Sequence, residues 1–114
     1  MSEQHETIKH PGTSKTFNEI IASDKPVLVD FFATWCGPCQ MMGMLLDDFT
    51  ISYKNIHKVE IAKVDIDELK EIALDYNVMS VPTLILFNDG KPVETMVGMR
   101  PIEEIESKLD ALIK

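Results

Sequence analysis

Cys36 and Cys39 are the only two cysteines in this chain of 114 residues, and they stand together in Trp35-Cys36-Gly37-Pro38-Cys39. Thiols at this spacing can be a structural bridge, half of a metal site, two unrelated buried side chains, or a pair that opens and closes. A structural disulfide stabilises by closing a loop in the unfolded chain, and the gain grows with loop length. Bridging Cys36 to Cys39 closes almost the shortest loop available, so stability is a poor reason for it. A structural zinc needs about four ligands. The histidines His5, His10 and His57 have no spacing that would complete such a set. The reading favoured over zinc and over two idle thiols is a reversible dithiol.

The elements that must hold this pair can be read on either side of it. Residues 27–32, Val-Leu-Val-Asp-Phe-Phe, form a β-branched and aromatic run suited to a buried strand, and Pro26 opens it. Residues 41–53 carry Met42, Leu45, Leu46, Phe49 and Tyr53 at helical spacing. Residues 59–65 read as a second strand. Strand, helix and strand make a right-handed βαβ unit, with the cysteines between the carboxyl end of a central strand and the start of a helix.

Elsewhere, Thr16 and Glu19 predict a capping box for a short helix burying Phe17, Ile20 and Ile21. Asp67 is expected to cap a helix with Leu69, Ile72, Ala73 and Tyr76, and Asn77 to end it in a left-handed conformation. Residues 83–87 predict a strand, residues 88–90 a hairpin turn, and residues 93–97 its partner strand. Pro101 opens a last helix with Ile102, Ile105, Leu109 and Leu112 inward. The expected organisation is one domain over residues 1–114, with residues 1–12 a loosely held extension and an edge strand around 7–9.

Charge and composition bound the partners. A net charge of -8 argues against nucleic acid, whose phosphates need a basic patch. No run approaches the ~20 apolar residues of a membrane span. The polar N-terminal residues contain no apolar leader core, so the expected compartment is the cytoplasm.

With Trp35-Cys36-Gly37-Pro38-Cys39 after Val29-Asp30-Phe31, then Ala62-Lys63-Val64-Asp65 and Val81-Pro82-Thr83, the sequence resembles the thioredoxin family. The likeness runs from about residue 8 to 112. It implies an α/β thioredoxin fold, a central five-stranded mixed β-sheet flanked by four α-helices. It also implies a protein disulfide oxidoreductase with no bound cofactor or metal. Thioredoxin reductase would recharge it from NADPH, its clients would be disulfide-containing proteins, and it would act as a monomer. Two rival readings are a non-catalytic binding module of this fold and a disulfide isomerase or oxidase. The relatives of the second kind carry other residues between their cysteines.

Roles follow for individual residues. A thiolate attacks a disulfide, and Cys36 at a helix start is favoured as the anion. Lowering a thiol pKa from ~8.5 to ~7 raises the thiolate fraction at pH 7 about sixteenfold. It cuts nucleophilicity about fivefold at a Brønsted slope of ~0.45, so the net gain is only about threefold. The larger contribution is expected from Cys39, tethered beside the mixed disulfide, since oriented intramolecular attack reaches an effective molarity of ~10⁵ M. Asp30, a lone carboxyl in an apolar strand, is expected to have a raised pKa and to take the proton of Cys39. Lys63 would tune it; the bland alternative is a strand-end aspartate and a snorkelling lysine.

Val81-Pro82 matches the family's cis-proline. An X-Pro bond is cis only ~5% of the time, so this expectation rests on the resemblance. Backbone before Pro82 would pair with an extended client. Trp35, Gly37, Pro38 and Gly98 would complete the docking surface, with Met79 and Met99 as an adaptable rim rather than core filler like Met42 and Met96. Phe32, Gln40 and Met44 depart from the family's usual residues, Met44 standing with Gly43 beside it where a proline normally kinks the helix.

Overall fold

Val27–Phe32 forms the central strand because each of its residues except the last is buried, so neither face of the run meets water. In the computed structural model, which describes residues 7–114, the elements follow in the order β1 (Ile8–Lys9), α1 (Ser14–Ile21), β2 (Val27–Phe32), α2 (Gly37–Ser52), β3 (Glu60–Asp65), α3 (Lys70–Asp75), β4 (Thr83–Asn88), β5 (Lys91–Val97) and α4 (Ile102–Leu112). A 3₁₀ turn at Ile56–Lys58 precedes β3. The sheet order is β1-β3-β2-β4-β5. β1, β3 and β2 run parallel, while β4 and β5 join antiparallel.

The alternation of β2 divides the core. Leu28 faces Met42, Leu46 and Phe49 of α2 and Ile105 and Leu109 of α4. Val27, Val29 and Phe31 face Phe17 and Ile21 of α1 and Ile72 of α3. Asp30, two residues from Leu28, therefore lies on the α2 and α4 face.

Several local expectations change. α1 is capped by Thr13 rather than Thr16: Thr13 is extended (φ -141°, ψ 161°), and its Oγ1 accepts the Thr16 amide at 3.1 Å. A cap must lie outside the helix, and Thr16 is already inside it. Ile20 is half-buried rather than enclosed. α2 begins at Gly37, four residues before the apolar periodicity, because Pro38 is suited to a first helical turn. α3 is short and has no side-chain cap, and Asp67 is engaged elsewhere. Asn77 takes the left-handed stop at φ 57°.

Asn88 closes β4 instead of entering the turn, which leaves Asp89 and Gly90 as a two-residue loop with φ of 56° and 80°. Both positive values suit a tight hairpin. β5 starts at Lys91 and includes Pro92, opposite a register shift between Leu86 and Phe87. Proline is tolerated there because β5 is an edge strand. At the other edge, Ile8 is buried and Pro11 is enclosed, so the chain is tied down earlier than expected from residue 7 onward. The expectation for residues 1–6 lies outside the described residues. Among the described residues no helix is long and apolar enough to cross a membrane.

Candidate active site

The parallel and antiparallel pairings bring three chain segments to one end of the sheet. Phe31 near the end of β2 is paired with Thr83 at the start of β4, and Thr83 with Val97 at the end of β5. The loop leaving β2 therefore meets the loop entering β4 and the one leaving β5. Cys36 N–H donates to Ala33 O at 3.2 Å, which tightens the first loop into a turn. Cys36 is then the N-cap of α2, extended at φ -97° and ψ 111°, and its Sγ accepts the Cys39 amide at 3.1 Å. A helix start leaves such amides without backbone partners, and they favour negative charge on the sulfur.

Cys36 and Cys39 form a disulfide with their Cα atoms 5.2 Å apart. Cys39 is 2% exposed and Cys36 6%, and Phe32, Ile66 and Val81 pack around them with Ala33. The Val81-Pro82 bond is cis. Thr83 Oγ1 donates to Ser80 O at 2.7 Å and Gly98 N–H to Pro82 O at 2.8 Å, so this loop is fixed to its own strand and to β5. Gly98 has φ 91°, a left-handed value that favours glycine. A Cβ added at Gly37 or at Gly98 would point into open space. The sequence-predicted set of Trp35, Gly37, Pro38, Val81, Pro82 and Gly98 is thus gathered about the disulfide.

Trp35 is 69% exposed, yet its Nε1 donates to Asp67 Oδ2 at 2.9 Å. Asp67 N–H is in turn held by Asp65 Oδ1 at 2.9 Å. Asp67 and Ile66 are site residues that the sequence reading missed. A usable signal existed: β3 is parallel to β2, so residues just after β3 must lie beside the loop just after β2.

On the face of β2 that α2 covers, Asp30 is fully buried and neither carboxyl oxygen has a hydrogen-bond partner. Burial pushes its pKa from 3.8 up to about 6, against the pull of the nearby Lys63 ammonium. Lys63 is Asp30's register partner on β3, and its Nζ lies 4.8 Å from the centre of the Phe32 ring. Phe32, Ala33, Thr34, Cys39, Gln40 and Lys63 line a cleft of about 280 Å³ that opens beside the buried cysteine.

Met79 and Met99 are 89% and 39% exposed, while Met42 and Met96 are buried. Both exposed methionines sit in the flanking loops, and neither packs into the cysteine cluster. A larger cleft of about 410 Å³, lined by Lys25, His57, Lys58 and the last residues of the chain, shares no residue with this site. Among the described residues no three His, Cys, Asp or Glu side chains converge as a metal site.

The thioredoxin family model matches residues 9–111. A thioredoxin from Alicyclobacillus acidocaldarius is 45% identical over 97 residues, which span 85% of this chain and 90% of that protein. A thioredoxin from Staphylococcus aureus is 48% identical over 83 residues, 73% of this chain and 78% of its own length. A mutant thioredoxin from Halobacterium salinarum superposes with a TM-score of 0.85 at 29% identity, covering 100% of this chain and 96% of that one. The chain belongs to the thioredoxin family and is a thiol–disulfide oxidoreductase.

Proposed function

We propose that this protein reduces disulfides in client proteins, with Cys36 attacking and Cys39 resolving, and that thioredoxin reductase recharges it with electrons from NADPH. The observation that carries the reading is the asymmetry of the pair. Cys36 caps a helix with an amide aimed at its sulfur, and Cys39 lies one turn inward on the side of a buried, unpartnered carboxyl.

The steps balance as follows. The Cys36 thiolate attacks one client sulfur, forming a mixed disulfide and releasing the other as thiolate. Asp30 accepts the proton of Cys39. The Cys39 thiolate attacks Cys36 Sγ, displaces the client sulfur held in the mixed disulfide as its thiolate, and closes the Cys36–Cys39 disulfide. The client gains two electrons and the protein loses two. An acceptor with a pKa of about 6 is ionised at neutral pH yet close enough to take a proton, and Lys63 keeps it from rising further. Extended clients would dock on the backbone before Pro82 and on Trp35, Gly37, Pro38 and Gly98, with Met79 and Met99 at the rim. We place this activity in a monomer in the reducing cytoplasm.

Insulin reduction with NADPH and thioredoxin reductase tests the reading. Wild-type protein should turn over, Cys36→Ser should not, and Cys39→Ser should accumulate mixed disulfides through Cys36. Absence of trapped clients in the Cys39→Ser protein would overturn the assigned order of the two thiols.

A further inference from the structure

Gly43 interrupts the middle of a 16-residue helix, where alanine is the better helix former. It belongs to the buried stripe Cys39, Met42, Gly43 and Leu46 that covers the Asp30 face of the sheet. A Cβ at position 43 would lie 2.9 Å from Lys63 Nζ, with Lys63 Cε at 4.0 Å. Nitrogen and carbon do not stand that close. The ammonium therefore fills the space that any other residue would claim, between the helix backbone and the Phe32 ring. None of the described ion pairs engages Lys63.

Leu84 of β4 is Asp30's register partner. The core cluster on that face of the sheet is apolar, drawing Leu86 from β4, Ile105 and Leu109 from α4, and Met42 and Leu46 from α2. Lys63 on β3 is the charged side chain that acts on Asp30; Cys39, in the same buried stripe of α2, is held in the disulfide of the oxidised protein.

We propose that Gly43 is a positioning residue: by carrying no side chain it seats the Lys63 ammonium against α2, and that seat sets how strongly Lys63 holds Asp30 in its charged form. A methyl group at 43 displaces the ammonium. Its route is outward, because the cleft lined by Thr34, Gln40 and Lys63 is open on that side and the sheet is packed on the other. Asp30 then loses part of the field that favours its carboxylate, and it protonates at higher pH. A unit charge retreating from ~6 to ~8 Å at an effective dielectric of ~20 moves a titration by about half a pH unit.

The test is a carbon-13 NMR titration of the Asp30 carboxyl in the oxidised protein, for wild type, Gly43→Ala, Lys63→Met and the double variant. Gly43→Ala should raise the midpoint by about half a pH unit and Lys63→Met at least as far. Gly43→Ala should add nothing once Lys63 is gone. An unmoved midpoint in Gly43→Ala, or an equal shift with and without Lys63, overturns the proposal. Alanine favours the helix, so unfolding midpoints at or above wild type separate this effect from damage to the fold.

For the rate, the inference rests on Asp30 being the proton acceptor for Cys39. The resolving step of Gly43→Ala should be about threefold slower below the titration midpoint. A shifted titration with an unshifted rate profile would refute the proton-acceptor reading and leave the seat for Lys63 standing.

Discussion

Replacing Asp30 with asparagine keeps the shape of the side chain and removes a charge that the fold holds at a cost. Asp30 is fully buried and neither oxygen is hydrogen-bonded, so in the folded protein its pKa rises from 3.8 to about 6. Because the folded value lies above the unfolded one, the penalty is absent below pH 3.8. It grows as pH rises between the two values and is complete above 6. At about 1.4 kcal/mol per pH unit the difference corresponds to about 3 kcal/mol. Asparagine leaves a similarly unsatisfied neutral group in place, so it should resemble protonated Asp30 and escape only the cost of ionisation. Urea melts of the oxidised proteins should therefore coincide near pH 3.5. At pH 8 the asparagine variant should be more stable by about 3 kcal/mol, or roughly 10 °C in melting temperature. Its resolving step at pH 7, followed by stopped flow, should slow by roughly tenfold or more, less than a full general-base effect because water can also take the proton. A stability gap of the same size at both pH values, or a less stable variant at pH 8, would refute the account of Asp30 as a buried, poorly compensated carboxylate. An unchanged rate would reduce it to a structural group.

Two further expectations concern residues away from the dithiol chemistry. Mild peroxide should oxidise Met79 and Met99 ahead of the buried Met42 and Met96, together with the exposed Met41 and Met44, as mass spectrometry of a time course on folded protein can show. Sulfoxides at 79 and 99 should weaken client docking; oxidation of these two no faster than Met42 and Met96 sinks the idea of an adaptable rim. Tyr53 donates to Asp110 Oδ1 at 2.5 Å and joins the end of α2 to the last turns of α4. Tyr53→Phe should lower the melting temperature and speed amide exchange near Asp110 while leaving insulin reduction unchanged, and unaltered exchange there would show that the bond does not hold α4.

Most of the site could be read in the sequence because its chemistry is contiguous. The cysteine pair, the strand before it and the helix after it fall within residues 27–52, and periodicity over such a span reports burial directly. What escaped depends on pairs from separate elements. The aspartate after β3 looks like any helix cap until the parallel pairing of β2 and β3 sets it beside Trp35. Gly43 reads as a weak spot in a helix until Lys63, twenty residues on, is found in the space it leaves. Thr16 offers a hydroxyl as a cap must, but the extended backbone angles that place a residue outside the helix belong to Thr13. The sequence pattern predicts a start for β5 at residue 93, but the strand starts at Lys91, with Pro92 placed opposite the register shift at Leu86 and Phe87.

The two borders of the sheet have a consequence for a protein whose clients are other polypeptides. Among the described residues β1 offers two, and β5 carries Pro92, a shifted register, and the charges of Lys91 and Glu94. Neither border is a good template for a further strand, so polymerisation through edge-to-edge pairing is discouraged on both sides. Under the proposed docking mode, a client segment would find its backbone partners in the loop before Pro82 instead. Contact with an extended polypeptide is thereby steered away from open-ended strand addition at either border.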